Sequence, residues 1–206
     1  MGSAVSLSAG YFDKMYAAAD DPWRFQARWY EQRKYALTAA MLPVQNYRDG
    51  FEPGCSIGVL TVMLAGRCDR LLSCDLARAA VRAARERTRG IPNVRVEHRE
   101  LPAQWPSGSF DLIVFSEFLY YFGDGDLTKV TELGEAALRP GGTMLAVHWR
   151  HPVADYPQDG DTVHQVLRDR PGLAPLAGYR DPDFLAEVLI RTDSAPVSVA
   201  QATGLA

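Results

Sequence analysis

Residues 51–58, Phe-Glu-Pro-Gly-Cys-Ser-Ile-Gly, place two glycines between a strand-like segment and the helix-like residues 59–65. Glycine permits the tight turn and the close backbone approach that such a strand-to-helix connection needs. Asp75 follows Gly58 by seventeen residues and ends the next apolar run. A glycine loop followed by an acid at the next strand end is typical of a nucleoside-cofactor site, because the acid can accept hydrogen bonds from ribose hydroxyls.

Strand-like and helix-like segments alternate from residue 51 onwards, which predicts an α/β fold with a doubly wound, mainly parallel sheet and helices on both faces. Two helices are expected before the sheet, at residues 11–19 and 23–42, the second with Asp21 as N-cap and Pro22 in its first turn. Strands are expected at residues 71–74, 94–98, 111–115, 143–149 and 184–190, and a last one at 197–202. The intervening helices are expected at residues 77–88, 127–138 and 162–169.

Length and composition indicate one soluble domain, residues 1–206, with a helical lid at 1–43 and the core at 44–206. A net charge of −3 without a cluster of basic residues argues against a nucleic-acid partner. No apolar run is long enough to span a membrane. Three cysteines, Cys55, Cys68 and Cys74, cannot all pair, so we expect reduced thiols and a cytoplasmic protein.

The glycine loop does not fit the commonest nucleotide motifs. A dinucleotide site requires Gly-x-Gly-x-x-Gly, but Ser56 and Val59 occupy the second and third glycine positions when the motif begins at Gly54. The Gly-Lys-Ser/Thr of a phosphate-binding loop is also absent from the sequence. A nicotinamide-dependent dehydrogenase is therefore disfavoured. An ordinary strand-turn-helix connection without a ligand is the alternative for this loop.

The loop resembles motif I, Glu-x-Gly-x-Gly-x-Gly, of class I S-adenosylmethionine-dependent methyltransferases, with Ser56 in place of the middle glycine. Asp-Asp-Pro-Trp-Arg-Phe at residues 20–25, Trp-Tyr-Glu-Gln-Arg-Lys at 29–34, and residues 148–157 are similar to the nodulation protein S family. That family N-methylates the free amine of a deacetylated chitooligosaccharide. The resemblance implies a Rossmann-like, seven-stranded class I methyltransferase fold with N-terminal capping helices, S-adenosylmethionine as cofactor, and an amine-bearing, sugar-like small-molecule acceptor.

Ligands of such sheets lie at the carboxyl ends of the strands, so the residues that follow each strand form the predicted cofactor site. These residues are Glu52, Gly54, Cys55, Ser56, Gly58, Asp75, Leu76, Glu100, Leu101, Ser116 and Glu117. The resemblance adds Trp23 as part of the lid and Arg33 as the partner of the cofactor carboxylate. It also places Glu100 and Leu101 against adenine, and Ser116 and Glu117 beside the sulfonium. Plain helix packing for Trp23 and Arg33, and a helix cap for Asp75, are the structural alternatives.

The acceptor side is predicted at the ends of the fourth and fifth strands. His148 is the candidate base, because imidazole near its reference pKa of about 6.5 can take a proton at neutral pH. Tyr120 and Tyr121 are expected to form an aromatic wall or to join the core, and His151 and Asp155 are further candidates in the loop. We expect no metal site, since His148 and His151 lack a third ligand.

The sequence therefore predicts an S-adenosylmethionine-dependent methyltransferase that most closely fits N-methylation of an amino sugar, an oligosaccharide or a related small molecule. Two alternatives stay open. An O-methyltransferase of a small metabolite would depend more strongly on a base, because a hydroxyl is a weaker nucleophile than a neutral amine. A non-catalytic member would bind the cofactor without transferring its methyl group.

Overall fold

The computed structural model describes residues 4–206, so residues 1–3 of the predicted domain lie outside the described residues. The strands are β1 Tyr47–Pro53, β2 Cys68–Asp75, β3 Val94–His98, β4 Phe110–Ser116, β5 Leu138–Trp149, β6 Leu173–Arg180 and β7 Phe184–Arg191. The helices are α1 Ala9–Ala18, α2 Trp29–Ala40, α3 Val59–Ala65, α4 Arg78–Arg87, α5 Asp124–Ala137, α6 Gly160–Arg168 and α7 Val199–Ala202, with a 3-10 turn at Leu119–Tyr121. In this part of the chain, no helix is both long and apolar enough to cross a membrane.

All seven strands form one sheet in the order β3-β2-β1-β4-β5-β7-β6. The first five strands in this order form four parallel pairs, whereas β7 runs antiparallel to both β5 and β6. The predicted doubly wound, mainly parallel seven-stranded sheet is confirmed. Its strand order reverses direction between β1 and β4, and ligands of open α/β sheets bind at such a switch point.

The central strands β4 and β5 are buried on both faces, which explains their apolar runs at residues 112–115 and 144–147. In β4, Ile113 and Phe115 pack into the core on one face, and Leu112 and Val114 pack into the core on the other. All four side chains are fully buried. Successive strand residues point to opposite faces, so this run supplies both layers at once.

The helix predicted at residues 23–42 begins only at Trp29, where α2 starts. The Asp21 carboxylate accepts hydrogen bonds from the backbone of Phe25 and Gln26 and closes a turn instead of capping a helix. The turn lets Trp23 and Phe25 stack at 5.5 Å and pack against the same cluster of side chains. Residues two apart in a helix do not share a face, so continuous helix would have separated these rings.

The predicted last strand at residues 197–202 is wrong, because this segment contains α7, which Ser198 and Gln201 cap reciprocally. The remaining strand of the sheet is β6, which no sequence pattern indicated. It lies at the sheet edge, mostly exposed, and its pairing with β7 shifts register between Pro175 and Ala177. Proline is tolerated at an edge or a bulge but obscures the strand in the sequence.

The β1–α3 loop carries three residues with left-handed backbones: Gly54 at φ 72°, Ser56 at φ 48° and Gly58 at φ 78°. A Cβ on Gly54 would lie 2.5 Å from Cδ2 of Phe118, whose ring stacks on Phe115 and contacts Phe122 edge-on. Gly58 instead permits close packing of α3 on α4, since its Cβ would lie 3.1 Å from Cα of Ala84. The two glycines are therefore required for different contacts.

Gly54→Ala should destabilise the protein more than Gly90→Ala. Both positions have positive φ, 72° and 85°, so both variants lose about 1–2 kcal/mol to the left-handed backbone. Only at Gly54 would the new methyl group clash with a ring, that of Phe118, since nothing lies within 4 Å of a Cβ built on Gly90. Overpacking should add about 1–3 kcal/mol for Gly54→Ala. Urea denaturation measures both losses, and equal losses would show that Phe118 moves aside freely.

Candidate functional site

The carboxyl ends of β1, β2 and β4 and the loop after β3 surround a cavity of about 280 Å³. The segment before α1, α1 itself and the turn before α2 cover it from the other side. The predicted residues that line the cavity are Trp23, Glu52, Gly54, Cys55, Ser56, Asp75, Leu76, Glu100, Leu101, Ser116, Glu117 and Tyr121. The structure thus brings most of the predicted site residues together around one space at the switch point.

Ser56 explains how the loop works without the middle glycine of the motif. Its backbone N–H donates to Oδ2 of Asp75 at 2.8 Å, and its Oγ lies 2.6 Å from the hydroxyl of Tyr16 in α1. These two bonds hold a left-handed conformation that glycine would adopt without help. The serine therefore connects the glycine loop to the helix that covers the cavity.

Asp75 lies at the end of β2 with both carboxylate oxygens already hydrogen-bonded. Oδ2 accepts from Ser56 N, and Oδ1 accepts from Ala77 N at 2.8 Å, at the start of α4. Burial raises the pKa of Asp75, while these backbone donors act in the opposite direction. Each carboxylate oxygen can accept a second hydrogen bond, so Asp75 orders the two loops and still offers acceptors to the cavity.

Glu52 at the end of β1 is a buried carboxyl that lines the cavity. Its Oε2 accepts hydrogen bonds from Thr61 Oγ1 at 2.6 Å and from Ser73 Oγ at 2.7 Å. Burial raises the pKa of Glu52 to about 7, against the effect of the two hydroxyl donors. Its neighbours on α3 and β2 therefore hold this side chain in place from both sides.

A buried ion network joins α2 to the end of β4. Lys34 has a side chain that is only 2% exposed, and its Nζ lies 2.9 Å from Glu31 Oε2 and 2.9 Å from Glu117 Oε1. Burial alone would lower the pKa of Lys34, but the charges of Glu117 and Glu31 outweigh it and raise the pKa. Lys34 therefore stays protonated. Sequence analysis missed this residue, although the Glu31-x-x-Lys34 spacing indicates a helical ion pair.

Aromatic rings cover the cavity. Trp23 contacts Tyr16 edge-on at 5.6 Å, and Phe12 of α1 contacts Tyr121 edge-on at 5.0 Å. Tyr120 is buried instead, stacked on Tyr156 at 4.9 Å, and its hydroxyl donates to Oε2 of Glu117. Of the two predicted wall residues, Tyr121 lines the cavity and Tyr120 supports Glu117 from behind.

Three further predicted residues lie elsewhere. Arg33 pairs with Asp181 Oδ2 at 3.1 Å and with the Tyr179 hydroxyl, at the β6–β7 end of the sheet. His151 is exposed and lies 2.8 Å from Asp183, and Asp155 is exposed in the same loop. None of these three side chains lines the cavity. The guanidinium of Arg33 and the imidazole of His151 are directed to carboxylates in the turn between β6 and β7.

His148 is fully buried and part of a closed chain of hydrogen bonds. Its Nε2 lies 3.2 Å from the backbone N–H of Leu119, its Nδ1 lies 3.2 Å from Nε2 of His164, and His164 Nδ1 lies 2.6 Å from Glu187. Since Nε2 must accept from the backbone, we assign the proton of His148 to Nδ1.

The expectation that His148 titrates near neutral pH is therefore corrected. Burial lowers its pKa well below the ordinary value, and the neighbouring His164 and Lys34 act in the same direction. The lone pair on Nε2 already accepts a hydrogen bond from the backbone N–H of Leu119. His148 could act as a base only if the 3-10 turn moved and released this bond. As observed, His148 positions the turn that carries Tyr120 and Tyr121.

The cysteines are free and buried, and Cys55 lines the cavity. Burial raises the pKa of all three thiols, to about 12 for Cys68, so they stay protonated. Across residues 4–206, no three His, Cys, Asp or Glu side chains are grouped so that they could hold a metal ion.

The buried neutral His148 should make the protein less stable in acid. In the unfolded chain a histidine binds a proton below about pH 6.5, whereas folded His148 does not until much lower pH. The contribution of neutral His148 to the free energy of unfolding is therefore complete above about pH 6.5. It decreases as the pH falls below that value, by at most ~1.4 kcal/mol per pH unit. Urea unfolding at pH 7.5, 6.5 and 5.5 gives the free energy of unfolding at each pH. This free energy should fall less steeply with decreasing pH in His148→Gln than in the wild type. The same pH dependence in both proteins would contradict the neutral state of His148.

Comparison with known proteins agrees with this architecture. A family model described as Nodulation protein S (NodS) matches residues 12–148. The nodulation protein S of Bradyrhizobium diazoefficiens is 36% identical over 134 residues, which is 63% of this chain and 59% of that protein. The Rhizobium tropici protein is 34% identical over 140 residues, or 62% of this chain and 55% of the relative. The chain spans less than two thirds of these relatives.

Solved structures share the fold. A putative methyltransferase from Pseudomonas syringae is 45% identical, with a TM-score of 0.71 over 80% of this chain and 100% of that chain. The N-methyltransferase NodS of Bradyrhizobium japonicum WM9, in complex with S-adenosyl-L-homocysteine, has a TM-score of 0.80 at 23% identity, covering 89% of this chain and 98% of that chain. The predicted class I methyltransferase fold is confirmed. Since the family model spans well over half of its length, the chain belongs to the nodulation protein S family.

Proposed function

We propose that this protein is an S-adenosylmethionine-dependent methyltransferase that N-methylates a free amine on an amino sugar or a short amino-oligosaccharide. The observation that carries the proposal is the left-handed loop at Gly54 and Ser56 facing Asp75 across the cavity at the switch point. Family membership supports it, because a solved relative is an N-methyltransferase that binds S-adenosyl-L-homocysteine. The protonated thiols of Cys55, Cys68 and Cys74 fit the cytoplasmic location that the sequence predicts.

The residues present fit this cofactor. Asp75 keeps one acceptor site on each oxygen for the two ribose hydroxyls. Leu101 is partly buried in the cavity wall and can cover a base, while Glu100 beside it is exposed and can accept from an exocyclic amine. Glu117 also lines the cavity, at the end of β4. Together these groups provide polar contacts at three points of one apolar cavity, which is the usual form of a cofactor site.

When bound, S-adenosylmethionine would supply a sulfonium methyl group, which the acceptor lone pair attacks while S-adenosyl-L-homocysteine is the leaving group. Because the leaving sulfur is already cationic, the residues of this chain mainly align the acceptor and exclude water. The aromatic side chains that cover the cavity exclude water from it; they are Tyr16, Trp23 and Phe25. A neutral amine needs little help from a base, which agrees with the engaged lone pair of His148. A hydroxyl acceptor would need such a base, so the geometry favours N-methylation.

Asp75→Asn should weaken binding of S-adenosyl-L-homocysteine about tenfold or more, because bonds to a charged acceptor are worth ~1.5–3 kcal/mol. Isothermal titration calorimetry measures the affinity. The matched control is Asp69→Asn, an exposed carboxylate on the same strand that accepts from Asn46. Its affinity should equal that of the wild type. An undiminished affinity in Asp75→Asn, or no binding by the wild type, would count against the cofactor site.

Methyl transfer should depend on the free amine of the acceptor. We expect mass spectrometry to detect one added methyl on glucosamine and on deacetylated chitooligosaccharides, and none on N-acetylglucosamine, whose nitrogen lone pair is delocalised into the amide. Methylation of both sugars would indicate transfer to oxygen. Cofactor binding without turnover on amines or hydroxyls would indicate the non-catalytic alternative.

A further inference from the structure

We infer that Glu117 is the residue that binds the acceptor amine, and that Lys34 and Tyr120 are positioning residues that hold its carboxylate and offset its charge. The inference rests on the proposed function and gives Glu117 a role different from the cofactor contact that the sequence predicts. Glu117 lies at the end of β4, lines the cavity, and has a side chain that is 12% exposed.

The backbone at Glu117 is held in an unusual conformation. Its φ of 53° is left-handed, a conformation that is unfavourable for a residue other than glycine. Its N–H donates to the carbonyl oxygen of Val147 at 2.8 Å and so joins it to β5. Strained residues persist where the surrounding structure over-determines them, often at functional sites. Here the left-handed backbone places the Glu117 carboxylate at the cavity, at the carboxyl end of the central strand β4.

The carboxylate of Glu117 is oriented by donors from three elements. Lys34 of α2 lies 2.9 Å from Oε1, the hydroxyl of Tyr120 donates to Oε2, and the backbone N–H of Trp149 donates to Oε2 at 3.3 Å. Burial and the charge of Glu117 raise the pKa of Tyr120, so this hydroxyl stays a donor. A carboxylate has about four acceptor sites, so Oε1 keeps one for an amine N–H.

The charge balance of this network suits a neutral amine. Two carboxylates, Glu31 and Glu117, share the single positive charge of Lys34. An unpaired carboxylate would stabilise the acceptor as an ammonium ion, which has no lone pair to donate. Lys34 reduces that effect, while Glu117 still accepts a hydrogen bond from the amine and thereby aims its lone pair.

The same arrangement suits the product. The amine lone pair forms the new N–C bond as the C–S bond breaks, and the C–S electron pair remains on sulfur. The positive charge therefore passes to nitrogen, next to Glu117, and the extra proton leaves to solvent. Glu117 acts here through charge and hydrogen bonding and does not need to become protonated itself.

Calorimetry separates acceptor binding from cofactor binding. Glucosamine is titrated into protein saturated with S-adenosyl-L-homocysteine, where no transfer can occur. For Glu117→Gln we expect at least about tenfold weaker glucosamine binding, with the affinities for S-adenosylmethionine and for S-adenosyl-L-homocysteine both within about threefold of the wild type. A loss of S-adenosylmethionine affinity as large as the loss of glucosamine affinity would overturn the inference and return Glu117 to the cofactor.

Two further variants test the positioning residues. Tyr120→Phe removes one donor and keeps the ring, so glucosamine should bind about three- to tenfold more weakly at unchanged cofactor affinity. Lys34→Met should raise KM for glucosamine and lower kcat, and Lys34→Arg should recover most of both. Arg33→Met is the matched control, because Arg33 is adjacent to Lys34 in α2 but pairs with Asp181 and does not line the cavity.

Failure of this inference and failure of the proposed function would give different results. If the wild type bound no S-adenosyl-L-homocysteine or methylated no amine, the proposed function would fail before any variant was compared. If the wild type is active and Lys34→Met does not fold, Glu117→Gln and Tyr120→Phe still decide the inference. Unchanged glucosamine binding in both of these would overturn it.

Discussion

The buried ammonium of Lys34 is the constraint on which the geometry of the site depends. Removing its charge from water costs several kcal/mol unless oppositely charged groups replace the solvent. Glu31 provides one such group from within α2, but Glu117 belongs to the sheet. The network is therefore complete only when α2 is docked against the end of β4. A single electrostatic requirement thus connects the N-terminal helices to the switch point where the cavity lies.

The side of the cavity at Asp75 shows the same coupling through hydrogen bonds. Tyr16 of α1 bonds to Ser56, and Ser56 in turn donates to Asp75. The helix that covers the cavity, the left-handed loop and the carboxylate at the end of β2 are consequently ordered together. The serine that departs from the glycine motif provides the contact to α1, which a glycine could not make.

Sequence reasoning succeeded where the function of a residue follows from its local position. Residues at the carboxyl ends of parallel strands converge, so the spacing alone placed Gly54, Asp75 and Glu117 around one cavity. It failed for side chains whose role depends on distant partners. His148 lies near the end of β5 as expected, yet its imidazole is directed to His164 and Leu119, which are 16 and 29 residues away in the sequence. Edge strand β6 was missed because its exposure and Pro175 hide the usual alternation.

The sequence by itself determined the α/β architecture, the family and the position of the glycine loop, because buried parallel strands and tight glycine turns leave strong local patterns. Only the tertiary structure decided which polar residues face the cavity. Lys34 and Arg33 are neighbours in one helix, but one is buried against Glu117 and the other is bound to Asp181. Consecutive helical residues point about 100° apart, so the docking of α2 assigns them to different partners.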